Sequence, residues 1–269
     1  MHRLFFHIAL WLVFKTFLLA YVPDRAGIER KLKENRYFLE FINAGISNFG
    51  DEKSRQLLQK AATEHYRAYR AYLQGHYDIS HDYIRQSQLI LRDLYVYMYD
   101  NIYRRDALYL LKSNSVVVVS SRDERAIKLL NLGYRDVKHA DIYRKKGYHY
   151  PEHLYSIKIY SYIDGIKYLR QAKRYAFLAI IETHTPLPDK ADFKKQTPDD
   201  YFNREKAEFL EDYLRVKNIL TNMIDRKYII NDYDYFSHHD DNYGYISYEK
   251  PNLLEKYLNE AEAYLAKQK

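Results

Sequence analysis

The sequence predicts an all-α protein made of irregular helical hairpins, with a C-terminal helical subdomain. Three observations carry that prediction. Apolar residues recur at three- and four-residue spacing along most of the chain. The 8 Gly and 6 Pro among 269 residues fall mainly at the ends of those periodic stretches. Only one stretch concentrates β-branched residues.

The elements follow in order. Ile28, Leu32, Phe38, Phe41 and Ile42 set a helix over roughly 24–45, and Gly45 and Gly50 bracket a connection. A second pattern, 51–74, carries Leu57, Leu58, Ala61, Ala62, Ala68, Ala71 and Leu73, and Gly75 suits a left-handed helix end. A third spans 78–112. The run SVVVVSS (115–121) is the best strand candidate, although it has no clear partner and a lone strand is not stable. Ser121 and Glu124 form a capping box that opens a helix to Leu132, closed by Gly133. A short helix over 135–146 ends at Gly147. Pro151 suits the first position of the next helix, which runs past Tyr168 to about Glu182. THTPLPDKADF (183–193) reads as a loop between subdomains. Thr197-Pro198-Asp199-Asp200 is a strong helix start, and that helix runs to about 223–227. Residues 230–250 read as a polar, Tyr-rich loop, and Pro251 opens a last helix to about Ala266.

Residues 1–22, MHRLFFHIALWLVFKTFLLAYV, join a short basic start to an apolar run broken by Lys15. That pattern fits an export signal; an uncleaved anchor or a buried core helix are the alternatives. The domain organisation is therefore 1–22 signal peptide, 23–185 helical repeat-like domain and 197–269 C-terminal helical subdomain. Any membrane contact would run only through an uncleaved signal segment.

Within 64–88, small residues at Ala68, Ser80 and Ser87 resemble the close-packed positions of a tetratricopeptide helix pair, with Tyr77 and Ile84 filling the groove. Glu64 stands where that pattern expects an aromatic residue. YDISHDYIRQS (77–87) aligns without gaps to YIDGIKYLRQA (162–172), with Tyr77/Tyr162, Tyr83/Tyr168, Arg85/Arg170 and Gln86/Gln171 identical. The expected body is a short, solenoid-like stack of helix pairs.

Composition narrows the chemistry. The absence of Cys excludes disulfides, Cys-ligated zinc and a thiol nucleophile. No Gly-rich phosphate motif occurs, and no cofactor is expected. The formal net charge of +7 is spread over interleaved charges, so no nucleic-acid partner is expected. His238-His239-Asp240-Asp241 is the one metal-like cluster, and a solvated polar loop is the better reading of it. His65, His76 and His81 read as surface or groove polar groups. Glu182 and His184 lack a nucleophile or oxyanion site beside them, so no catalytic residues and no small-molecule substrate are assigned.

The outstanding anomaly is 31 Tyr. Tyr66, Tyr69, Tyr72, Tyr95, Tyr97 and Tyr99 are too dense for all to be buried, because Tyr97 and Tyr99 face nearly opposite sides of a helix. Tyr233, Tyr235, Phe236, Tyr243, Tyr245 and Tyr248 form a second dense set before the last helix. Tyrosine supplies contact area at low ordering cost, so this second set is the expected partner-binding surface. Stacking on cell-wall glycan is an alternative use.

HYRAYRAYLQGHYDISHDYIRQSQ, DLYVYMYDNIYRRDALYLL and YSYIDGIKYLRQAKRYAFLAIIETHTP give the chain a texture that resembles the flagellar-coiling proteins of Leptospira, over about 51–227. The resemblance implies a periplasmic component of the spirochaete flagellar sheath. Such a component would contact filament core and sheath proteins, promote filament curvature and so support motility, without enzymatic activity. It carries over no site residues. A periplasmic tetratricopeptide-like adaptor and a cell-wall glycan-binding module are the alternative functions.

Overall fold

The computed structural model describes residues 24–184 and 252–267, and all regular structure among them is helical. Helix α1 is Arg25–Phe49, α2 Glu52–Leu73 and α3 Tyr77–Met98. A π-helical turn, Tyr99–Tyr103, leads without a break into α4, Arg104–Ser121. Then come α5, Glu124–His149, α6, Tyr155–His184, and α7, Leu253–Ala266. From Tyr77 to Ser121 the backbone stays helical, so one rod of roughly 65 Å runs through the molecule.

Aspartate starts the first, second and fifth of these helices. Asp24 accepts from the Gly27 amide at 2.7 Å and Asp51 from Ser54 at 2.9 Å. Asp123 accepts from both Arg125 and Ala126 at 2.9 Å. Each side chain satisfies amides that a helix start leaves unpaired. The predicted turn at Gly75 is present: φ is +78°, and the His76 amide closes back on the Ala71 carbonyl at 2.9 Å.

Several boundaries differ from those predicted. The strand candidate 115–121 is the end of α4. Val118 is buried there, while Val116 and Val119 are 72% and 59% exposed. Leu110, Leu111, Asn114 and Val118 recur at helical spacing and face the core, and that packing outweighs the small helix penalty of β-branched residues. Gly45 lies inside α1 rather than in a connection. Gly133 and Gly147 lie inside α5, so the two predicted helices are one. Their role is close approach: a Cβ at Gly133 would sit 2.5 Å from Leu111 Cδ2. Asp123, not Ser121, caps α5; Ser121 Oγ instead donates to the Val118 carbonyl. Pro151 opens a turn, and α6 begins at Tyr155. The predicted export segment, the helix over 197–227 and the loop over 230–250 lie outside the described residues.

The helices assemble as two three-helix units, α1–α2–α3 and α4–α5–α6, and within each unit every helix touches the other two. The units repeat one another in sequence. Asp51-Glu52-Lys53 and Leu57-Leu58 of α2 recur 72 residues on as Asp123-Glu124-Arg125 and Leu129-Leu130 of α5. At the same offset, buried Phe38, Leu39 and Ile46 of α1 match buried Leu110, Leu111 and Val118 of α4. The third helices follow at the 85-residue offset seen in the sequence. Ser80 and Ser87 of α3 donate to the carbonyls of Ala68 and Ala61 on α2 at 2.8 Å. Their counterparts Gly165 and Ala172 on α6 lie against Ala140 and Gly133 of α5, the counterparts of Ala68 and Ala61. Small residues thus bring the last two helices of each unit together at matching positions. Helix α7 docks on α1 and α2, where Asn43 accepts from the Leu254 amide at 2.9 Å and Arg70 donates to the Leu265 carbonyl at 2.9 Å.

Tyr95, Tyr99 and Tyr103 lie along one face of the rod and are buried. The Tyr95 hydroxyl donates to the Phe38 carbonyl at 2.7 Å, and the Tyr103 hydroxyl accepts from Arg170 at 3.0 Å. These helical tyrosines are therefore core residues, with the Tyr95 and Tyr103 hydroxyls bonded. His65 is core as well, not a surface group: its Nδ1 receives the Asn35 amide at 3.1 Å, and Asn35 also donates to Ser87 at 2.9 Å. Burial, aided by Arg36, pushes the His65 imidazole down to about 4.

Two outcomes are expected. Gly165→Ala would place a Cβ 2.7 Å from the buried Tyr99 ring. It should lower stability by about 1–3 kcal/mol in denaturant melts. Because neutral His65 is the folded form, its contribution is complete above pH 6.5, falls as pH drops toward 4 and is constant below that. The loss amounts to about 3 kcal/mol. Thermal melts across that window should show it, and a His65→Leu variant should flatten the pH dependence there.

Candidate functional site

The π turn builds the site. A π turn holds one residue more than the α-helical spacing, which re-aims the side chains around it, and such turns recur at functional sites. Here Asn101 donates to the Tyr97 carbonyl at 3.0 Å, and the Arg104 amide bonds to the Tyr99 carbonyl. The turn carries Asp100 and Arg104 on the side that faces α5, where Asp141 and Arg144 lie one turn apart.

Two crossed ion pairs result. Arg104 grips Asp141 through Nε at 2.8 Å and Nη2 at 3.2 Å. Arg144 grips Asp100 through Nε at 2.6 Å and Nη2 at 2.9 Å. Both are fork-on-fork pairs, the strong geometry for guanidinium and carboxylate. The bonds to Asp141 and Asp100 hold the two arginines above the usual guanidinium range. Tyr99, at the foot of the pairs, reaches Asp141 at 3.4 Å, and burial pushes its phenol up. With Lys145, these four charged side chains line an open cleft of about 360 Å³. Tyr148 lies one turn beyond Arg144 on the same face of α5 and is 71% exposed.

A second cationic arrangement lies at the junction of α1, α3 and the 150–154 turn. The Arg85 guanidinium stacks on the Tyr155 ring at 4.2 Å and donates to the His153 carbonyl. Arg92 bonds Glu152 at 2.7 Å beside the same ring. These contacts tie α3 to the start of α6.

The sequence-predicted site residues Tyr233, Tyr235, Phe236, Tyr243, Tyr245 and Tyr248 lie outside the described residues, as does the His238–Asp241 cluster. Among the described residues, no three His, Asp or Glu side chains come together as a metal site. Glu182 is buried and its carboxylate stands 3.7 Å from Arg125 Nε. No described helix is long and apolar enough to cross a membrane.

Sequence reasoning missed the cleft, yet a signal was present. From within the π turn into α4 the chain reads Asp100-Asn101-Ile102-Tyr103-Arg104, and its partner on α5 reads Asp141-Ile142-Tyr143-Arg144. The two strings differ by one inserted residue, Asn101, which lies in the π turn itself.

The described residues thus form an all-helical scaffold that carries charged and aromatic side chains at its surface. A family model described as "Surface protein adhesin OmpL37" matches residues 22–269, nearly the whole chain, so the chain belongs to the OmpL37 family of surface adhesins. No curated protein matches it. No solved structure matches it.

Family membership makes this an exported surface protein and not an enzyme. It overturns the resemblance to flagellar-coiling proteins and everything that followed from it: the flagellar sheath role, filament core and sheath partners, filament curvature and motility, and location on the periplasmic flagellum. The reason is physical. That resemblance rested on tyrosine-rich helical texture, and the structure uses much of that texture as core packing around Tyr95, Tyr99 and Tyr103. Core composition reports a packing solution, which unrelated helical proteins share, and carries no information about a partner.

Deletion of Asn101 should convert the π turn to α-helix and rotate α4 by about 100° relative to α3. Arg104 would then lose Asp141. The expected outcome is a large fall in melting temperature, while Asn101→Ala, which keeps the residue count, stays close to the parent.

Proposed function

We propose that the chain acts as an adhesin whose helical body engages an anionic host ligand. The family match over residues 22–269 carries the adhesin reading. Charge supports the ligand class. Over residues 24–184 Lys and Arg outnumber Asp and Glu by 28 to 19, whereas over 185–269 the balance reverses to 13 against 17. The basic excess belongs to the helical body, and a field of one sign steers an oppositely charged partner.

The body is a degenerate tetratricopeptide-like scaffold in this reading. Support comes from the small-residue contacts of Ser80, Ser87, Gly165 and Ala172, which repeat in both units. The proposed organisation is an export segment over 1–22, a helical body over 23–185 and a C-terminal part over 197–269. The start of the family match at residue 22 supports the first boundary. Tyr233, Tyr235, Phe236, Tyr243, Tyr245 and Tyr248 supply a second contact set, on the ground of their aromatic density.

Purified chain should bind cultured host cells saturably, and the binding should weaken as salt rises from about 0.15 M to 0.5 M, where screening shortens the reach of exposed charges. Absence of saturable binding at the lower salt would refute the adhesin reading. Salt-independent binding would refute the charge-based ligand class alone.

A further inference from the structure

We infer that the cleft at the π turn is a subsite for a sulfate ester of an acidic polysaccharide, bound by Arg104, Arg144 and Lys145. The inference rests on the adhesin reading and names the chemistry that the cleft would recognise. It starts from which edges of the guanidinium groups are already occupied. A carboxylate binds arginine best through two parallel hydrogen bonds to a forked pair of N–H groups. In both arginines the Nε–Nη2 fork is taken, by Asp141 on Arg104 and by Asp100 on Arg144. Nη1 of each has no partner among the described residues. Lys145 is exposed and has no carboxylate partner there either.

The Nη1–Nη2 edge of each arginine stays open, so the cleft offers donors from three separate side chains. Three donor side chains can each take a different oxygen of a tetrahedral sulfate or phosphate ester, whereas a planar carboxylate, with two oxygens, would leave one of the three cations unused. The charge balance agrees: three cations against two carboxylates leave one positive charge at the cleft mouth. The ion pairs also fix both guanidinium groups before a ligand arrives, so little side-chain order remains to be imposed on binding. Tyr148, exposed one turn along α5, lies where a neighbouring sugar ring could rest on its face. An exported surface protein meets sulfated polysaccharide outside the cell, which favours sulfate over phosphate as the source.

The test uses the full chain with immobilised heparin as the sulfated polymer and its chemically desulfated form as the comparison. Expected is retention on heparin only. Lys145→Gln should weaken binding about tenfold, the loss of one charge-assisted hydrogen bond. Lys145→Glu should abolish it, while Lys60→Glu, an exposed change on α2, should leave it unchanged. Circular dichroism melts of each variant report folding; Lys145 is exposed, so these should match the parent. Equal retention on both polymers, or full retention of Lys145→Glu, overturns the assignment. Release by free inorganic phosphate as readily as by free sulfate shows a generic oxyanion site and overturns the sulfate source. A chain that adheres to host cells but ignores heparin refutes the subsite and leaves the adhesin reading standing. A chain that holds heparin through Lys145 but fails to adhere to cells refutes the adhesin reading and supports the subsite.

Discussion

Three tyrosines on one face of the central rod join the two halves of this protein. Tyr95 is tied to the backbone of α1, Tyr99 reaches Asp141 on α5, and Tyr103 receives Arg170 from α6. Each ring fills core volume while its hydroxyl finds a partner on a different element. A buried hydroxyl without a partner costs free energy, so each of these contacts constrains a helix position as well as filling space. Phenylalanine would fill the same volume and would leave the α1, α5 and α6 placements less specified.

The π turn follows from the same geometry. The tyrosines span the boundary between α3 and α4, and the turn lies among them, at Tyr99–Tyr103. Its extra residue re-aims the side chains where α3 of the first three-helix unit runs into α4 of the second. Small residues then allow close contact where the rod meets α5 and α6. Gly165 lies under the Tyr99 ring, and Gly133 leaves room for Leu111. The charged cleft lies beside the Tyr99 hydroxyl, where Asp100 and Arg104 meet their reversed counterparts on α5. A rigid core and an accessible charged rim thus share one structural cause.

Much of the fold was legible locally. The starts at Asp24, Asp51 and Asp123 and the stop at Gly75 are set by side-chain and backbone chemistry within a few residues, so sequence places them closely even where it favours the wrong cap. Interior glycines misled. Gly133 and Gly147 look like helix ends in sequence, because only the neighbouring helix shows that their missing Cβ atoms are needed for contact. The valine run at 116–119 misled for a similar reason, since its helical state depends on Leu110, Leu111, Asn114 and Val118 facing a common core. The cleft was harder still. Asp100 and Asp141 are distant in sequence, and ordinary charges on helices are usually solvated.

The sequence alone determined that the chain is helical, that it repeats and that it needs no thiol chemistry, because periodicity, caps and composition are properties of neighbouring residues. Tertiary structure decided which tyrosines are core, where the rod gains its extra residue and which arginines face which aspartates. Those outcomes depend on packing between elements tens of residues apart, and a hydroxyl or a guanidinium acquires its role only from the partner that packing brings to it.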